Sequence, residues 1–151
     1  MNDGQYSIAK WISIIHRNGQ SYVSKKLKDY NIGSGQYIIL LNLFANDGIS
    51  QEKLSDYLKI DKGSIAKSIK KLEDEAYIKR LTDSDDKRAY KVFLTQKALD
   101  IMPIVQKTIE SWEDVIISDL SDSEKQMIEK LLNKMAHKAY SIKANDEEND
   151  K

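Results

Sequence analysis

The chain has 151 residues with 24 basic and 24 acidic side chains, a formal net charge of zero, 40% hydrophobic and 32% charged residues, and no cysteine. That length points to one domain with a sizeable core, and that composition to a globular, charged-surface protein. The absence of cysteine excludes disulfides, thiolate nucleophiles and Cys-ligated zinc. The longest unbroken apolar run, residues 37–41, is too short to cross a bilayer, and the opening residues carry no signal-peptide pattern, so a cytoplasmic protein with no membrane partner is expected.

One proline and six glycines favour long helices. Ile8, Trp11, Ile12 and Ile15 fall at i, i+3, i+4 and i+7, which predicts a first amphipathic helix over roughly residues 6–28, broken at 31–35. A nearly all-apolar second helix is expected over 37–45, stopped by Asn46-Asp47-Gly48. Ser50 reads as the N-cap of a short third helix, Gln51–Leu58, and Asp61 as the cap of a fourth that carries Ile65, Ile69 and Leu72 on one face. Residues 77–81 and 90–94 are β-branched or aromatic segments around a polar stretch, which predicts a two-stranded hairpin with a long tip. Thr95 caps a fifth helix whose apolar stripe stays in phase across Pro103, so a kink is expected there and not a break. Ser121-Asp-Ser-Glu124 is a capping box that opens a sixth helix, and 144–151 reads as an acidic, flexible tail.

Charge is uneven along this framework. Residues 62–95 hold nine basic against six acidic groups, while 96–151 hold eight against twelve. The order helix, tight turn, basic helix, hairpin suits a helix-turn-helix, whose second helix enters the major groove while helix N-termini and basic groups hold phosphates. With Ile65, Ile69 and Leu72 buried, Gly63, Lys67 and Lys71 point away from the core, with Ser64 and Lys70 beside them. Gly63, Ser64 and Lys67 are therefore candidates for base edges, and Lys62, Lys70 and Lys71 for phosphates. Ser50 and Gln51, at the start of the preceding helix, and Ser68 complete the candidate set on these helices.

Residues 72–80 (Leu-Glu-Asp-Glu-Ala-Tyr-Ile-Lys-Arg), 83–89 (Asp-Ser-Asp-Asp-Lys-Arg-Ala) and 93–95 (Phe-Leu-Thr) together resemble the signature of the MarR family of winged-helix regulators. The resemblance covers about residues 5–140 and implies a mainly α fold with a small β-hairpin wing. A DNA-binding lobe over 34–95 would be flanked by dimerisation helices at 5–30 and 96–140. It further implies a homodimeric regulator, a repressor in our reading, on a near-palindromic double-stranded operator. Asp86-Lys87-Arg88 matches the family's Asp-x-Arg wing, so Arg88 is expected to enter the minor groove with Asp86 fixing its guanidinium. Ala76 and Ala98 stand where the family commonly has glycine, so the turn at 75–77 is expected to differ locally. The resemblance also implies a small aromatic or phenolic acid effector, for which Lys10, His16 and Arg17 are candidate cations and Trp11, Tyr37 and Trp112 candidate apolar walls.

Competing signals are weaker. Gly33-Ser-Gly35 lacks the third glycine and the preceding strand of a nucleotide loop. His16 and His137 with Glu110, Glu113 or Asp114 are the material for a regulatory metal, but a solvated helix face explains them more simply. A metal-responsive regulator and a helical protein-interaction module without DNA binding are the alternative readings. No enzyme and no cofactor are expected, since the chain shows no nucleophile motif, phosphate loop or ligand cluster.

Overall fold

The computed structural model describes residues 7–149. In chain order these form α1 (Ile8–Lys26), a 3-10 turn (Lys28–Tyr30), α2 (Ser34–Ala45), β1 (Ile49–Ser50), α3 (Gln51–Leu58) and α4 (Lys62–Asp74). They continue as β2 (Ile78–Thr82), β3 (Tyr90–Leu94), α5 (Gln96–Ile116) and α6 (Asp122–Asn149). The chain divides after Trp112 into two compact units.

The first unit is built on one core. Leu27, Ile39, Leu40, Leu43, Leu54, Ile69, Val92, Ala98 and Val105 are wholly withdrawn from solvent, with Ile65, Leu72 and Met102 within 1% of it. At roughly 1.5–3 kcal/mol for each large side chain buried, this cluster is what holds α2, α3, α4, the sheet and the start of α5 together. Two close approaches depend on glycine. A Cβ on Gly19 of α1 would lie 2.8 Å from the Trp112 indole nitrogen, and one on Gly35 of α2 would lie 2.8 Å from the Ser68 hydroxyl on α4.

The turn from α3 to α4 is the joint that aims α4. Lys59 takes the left-handed conformation (φ 54°) at the end of α3. Ser55, buried beneath it, receives the Ile60 amide on its carbonyl (3.3 Å) and donates its hydroxyl to the Ile60 carbonyl (2.7 Å). Ser50 and Asp61 cap α3 and α4 as expected: Ser50 Oγ accepts the Lys53 amide (3.1 Å) and Asp61 Oδ1 the Ser64 amide (2.8 Å). The second unit carries the end of α5 and all of α6. There the expected capping box forms, with the Ser121 amide donating to Glu124 Oε2 (2.8 Å).

Four features depart from the expectations. α2 starts at Ser34, three residues early, because the Gly33 amide donates to Gln36 Oε1 (2.9 Å) and closes the first turn. The wing is three-stranded, in the order β1-β3-β2 with both pairings antiparallel, because Ile49 and Ser50 pair with Val92 and Lys91. Two residues are too few to show alternation in a sequence. Ala76 adopts the left-handed conformation at φ 57° in spite of its Cβ, held there as its carbonyl accepts the Thr95 hydroxyl (2.7 Å). α5, by contrast, passes through Pro103 as one helix, unbroken as expected. Finally, α6 runs to Asn149, so the helix continues into the segment 144–151 expected as a flexible tail, where Ala144, Glu147 and Glu148 are good helix formers. Residue 6 of the expected first helix, residue 5 of the expected dimerisation segment, and 150 and 151 of the tail lie outside the described residues.

Candidate nucleic-acid interface

α4 presents two faces of opposite chemistry. Ile65, Ile69 and Leu72 are buried, whereas Lys62, Gly63, Ser64, Lys67, Lys70 and Lys71 are exposed, as their 100° spacing requires. The cations on that face are not equivalent. Lys62 is bound to Glu52 of α3 at 2.7 Å, a pairing that lowers the Glu52 carboxyl and raises the Lys62 ammonium through their mutual hydrogen bond. Lys70 pairs with Asp74 at 3.2 Å. Lys67 and Lys71 make no ion pair among the described residues, so their charge is free for a phosphate or a base acceptor. Ser68, expected among the DNA contacts, lies on the other side. It is half-buried with its hydroxyl against Gly35, since α2 crosses α4 there too closely to leave it outward.

The wing tip between β2 and β3 is shaped by its own backbone. The Asp83 amide donates to the Ala89 carbonyl, the Ala89 amide to the Asp86 carbonyl, each at 2.9 Å, and Asp83 Oδ1 accepts the Asp85 amide at 3.0 Å. That last bond, with the Lys91 ammonium 3.4 Å away, holds the Asp83 carboxyl below the usual range. Asp86 does not hold the Arg88 guanidinium. Its Oδ1 accepts the Arg88 backbone amide at 2.9 Å, an Asx turn that bends the chain and leaves the guanidinium exposed and without an ion pair among the described residues. Lys87 is likewise exposed and unpaired.

Between the helices and the wing lies a groove of about 460 Å³. Its lining includes Ser50 from β1, Gln51 and Glu52 from α3, Lys62 from α4, Arg80 from β2, and Asp86 and Arg88 from the tip. Ser50 Oγ is committed to its cap, while Gln51 Oε1 is buried without a hydrogen-bond partner among the described residues. The structure thus brings Ser50, Gln51, Lys62, Asp86 and Arg88 around one groove, with Lys67 and Lys71 further along α4.

Arg80 is a groove residue that sequence reasoning missed. Its Nε and Nη2 both donate to Oε2 of Glu73, at 3.0 and 2.5 Å, and its guanidinium lies 5.5 Å from the Tyr90 ring centroid. The hydrogen bond lowers the Glu73 carboxyl and raises Arg80. A basic residue in a short strand reads as a solvent-facing charge, and no local pattern announces a partner seven residues upstream.

The six candidate effector residues come from three helices. Lys10, Trp11, His16 and Arg17 are exposed along α1. Tyr37 is half-buried on α2, its hydroxyl pushed up by burial. Trp112 packs on Tyr22 with ring centroids 5.5 Å apart. A cavity of about 390 Å³ lies elsewhere in the first unit, among Tyr30, Tyr77, Lys97, Asp100, Ile101 and Ile104. There Tyr77 donates to the Tyr30 carbonyl (2.8 Å), and the Lys97 ammonium sits 4.3 Å from the Tyr77 ring centroid. Tyr30 and Tyr77 are 47 positions apart, so sequence gives no signal of their meeting. Among the described residues no three His, Asp or Glu side chains gather in a way that could hold a metal ion, and no helix is long and apolar enough to cross a membrane.

The family model described as the MarR family matches residues 32–90, from the start of α2 to the far side of the wing tip. The uncharacterized HTH-type transcriptional regulator YybA of Bacillus subtilis is 34% identical over 135 residues, which span 89% of this chain and 87% of that protein. Among solved structures, a MarR transcriptional regulator from Methanosarcina mazei superposes with a TM-score of 0.86 at 44% identity, covering 89% of this chain and 97% of that one. A MarR-type regulator from Listeria monocytogenes, complexed with 26mer DNA, gives a TM-score of 0.81 at 29% identity and 89% coverage of both chains. With a relative of that identity matched over most of both lengths, and the family's model lying on the helix-turn-helix and wing, this chain belongs to the MarR family, whose members are transcriptional regulators and not enzymes.

Proposed function

We propose that the chain is a cytoplasmic repressor that binds a near-palindromic double-stranded operator as a homodimer and is released by a small aromatic or phenolic anion. In this reading 34–95 is the DNA-reading lobe, and 5–30 with 96–140 supply dimerisation. The observation that carries it is the pairing of two exposed, unneutralised basic surfaces: Lys67 and Lys71 on α4, and Lys87 and Arg88 on the wing tip that borders the groove beside Lys62. The short side chains of Gly63 and Ser64 let the start of α4 approach base edges, Lys67 reaches guanine acceptors, and Arg88 enters the adjoining minor groove. The Listeria relative in complex with 26mer DNA supports this mode.

Self-association is supported by apolar surface without cover. Ile8 and Ile15 of α1 are 64% and 46% exposed, and Leu131 of α6 is 50% exposed. A two-fold dimer reads half-sites about one helical turn, roughly 10 base pairs, apart. The effector reading rests on the exposed Arg17 and His16 of α1, and a salicylate titration of wild type and Arg17→Ala tests it. Equal binding by both removes Arg17 from that site.

The test of DNA binding is fluorescence anisotropy on the DNA flanking the coding region and on random DNA, at several salt concentrations. Lys67→Ala lowers the operator-to-random ratio. Lys71→Ala weakens both DNAs alike and reduces the salt slope by about one. Equal affinity of the wild type for operator and random DNA overturns the reading.

A further inference from the structure

We propose that Arg80 is a positioning residue of the wing: bound to Glu73 at the end of α4 and lying over Tyr90, it fixes the outer strand β2 against the recognition helix and so sets where the tip carries Arg88, without itself contacting DNA. The inference rests on the DNA-contact reading above only for its consequence at the operator.

The strand order gives such a tie a use. β3 is the central strand, paired on one side with β1 and on the other with β2, so β2 is one of the two edges of the sheet. β1 anchors β3 through the pairs Ile49 with Val92 and Ser50 with Lys91. β2 has no strand on its outer side. Among the described residues, the Arg80–Glu73 bond is the one side-chain hydrogen bond or ion pair that joins β2 to α4. Its geometry suits a clamp: two donors of one rigid guanidinium converge on a single carboxylate oxygen, which restrains both direction and distance.

Its surroundings differ from those of the paired α4 cations. Both side chains of the Arg80–Glu73 pair are 32% exposed, against 71% and 69% for Lys62–Glu52 and 70% and 61% for Lys70–Asp74. Arg80 therefore lines the groove with its charge already neutralised and partly shielded, whereas Arg88 offers an unneutralised one. The lever is short but effective. Arg80 sits two residues, roughly 7 Å of strand, before the end of β2, and Tyr90 beneath its guanidinium is the first residue of β3. A change of strand direction at Arg80 is thus carried outward to every residue of the tip.

The experiment has a DNA-free arm and a DNA arm, with Arg80→Met, Glu73→Gln and the double variant. In the free protein, tryptic cleavage after Lys87 and Arg88 is followed by mass spectrometry. Both single variants are expected to be cut about 3- to 10-fold faster there, with cleavage at the lysines of α4 unchanged. Because the two residues act as one device, the double variant is no faster than the faster single. On operator DNA, Arg80→Met loses about 5- to 20-fold in affinity with the salt slope of the wild type.

Wild-type cleavage rates in both single variants, or effects that multiply in the double variant, overturn the clamp. A salt slope reduced by about one in Arg80→Met overturns it differently, by making Arg80 a direct phosphate contact. Should Arg80→Met not fold, Glu73→Gln keeps the volume and carries both arms. A wild type that shows no operator preference defeats the DNA-contact reading, while the cleavage arm still decides the clamp.

Discussion

Helices α4 and α6 carry apolar residues at the same helical spacing and end in opposite circumstances. On α4, Ile65, Ile69 and Leu72 are at most 1% exposed, locked against the core of the first unit. On α6, Met127, Ile128, Leu131, Leu132 and Met135 remain 39–56% exposed. An apolar stripe is therefore only a statement that a helix needs a partner, and packing decides whether the same chain supplies it. Where it does, the opposite face is freed for work: the outward residues of α4 are lysines and short side chains. Where it does not, the stripe itself is the surface with a use, and a second copy of the chain is the occupant proposed above.

Two substitutions separate these cases by the largest margin. Ile69→Ala removes a fully buried side chain and should cost about 2–5 kcal/mol of unfolding free energy, independent of protein concentration. Leu131→Asp on α6, at a side chain half exposed in the single chain, should shift the sedimentation equilibrium towards monomer and remove the dependence of apparent stability on protein concentration that dimerisation confers. A mutant that stays as dimeric as wild type breaks the contrast.

The next effect lies where the sheet meets the core. Gly48 has φ 77°, and a Cβ there would meet the Phe93 ring at 2.8 Å. Gly48→Ala should therefore cost about 1–3 kcal/mol, from the left-handed backbone and from displacement of the ring. Because the Gly48 amide donates to the Val92 carbonyl at 3.0 Å, the loss should appear in hydrogen exchange at β1 and β3 before α4. Uniform loss across the unit would mean that the sheet is not a separate weak point.

How much of this was legible in the sequence follows the same division. Caps are local, so Ser50, Asp61 and the Ser121–Glu124 box could be read from single residues, and the facing of α4 from three isoleucine and leucine positions. The wing strands shifted by at most one residue because their β-branched and aromatic pattern is also local. What escaped depends on pairs far apart in sequence. β1 exists only because Val92 is there to pair with, Ser68 is turned inward only because Gly35 lets α2 approach, and Arg80 acquires its role only from Glu73. The Asp86–Arg88 contact was placed on the right residues and the wrong atoms. A carboxylate two residues before an amide reaches the backbone more readily than the end of a long side chain.

A smaller effect tests the end of α4. Ala76 sits at φ 57°, where an L residue costs roughly 1–2 kcal/mol, while glycine loses about 0.4–1 kcal/mol through its freer unfolded state. Ala76→Gly should thus stabilise by about 0.5–1 kcal/mol in urea melts. A neutral or destabilising result would show that the Thr95 hydroxyl bond to the Ala76 carbonyl, and not the residue type, sets that turn.

The smallest effect is a pH dependence at the same end of α4. The hydrogen bond from Arg80 holds the Glu73 carboxyl below its ordinary value of 4.5, so the folded state favours the ionised form. The sign follows from linkage: as pH falls below 4.5 the unfolded chain takes up this proton first, so the stabilisation is complete above that value and disappears as pH drops through the lowered folded one. Arg80 itself, raised above its ordinary value by the same hydrogen bond, matters only in strong alkali. With both side chains 32% exposed, solvent screening limits the pair to less than about 1 kcal/mol. Glu52, Asp61, Asp83 and Glu124 are lowered too, so the acid limb of the wild type alone cannot isolate Glu73. The difference between wild type and Glu73→Gln can, because the other four carboxyls are common to both. Denaturant midpoints should place the variant below wild type at pH 7, with the gap narrowing towards pH 3, as protonation makes Glu73 resemble the amide that replaced it. A gap of the same size at both values would mean that the carboxylate charge contributes nothing, and that Glu73 holds β2 to α4 through hydrogen-bond geometry alone.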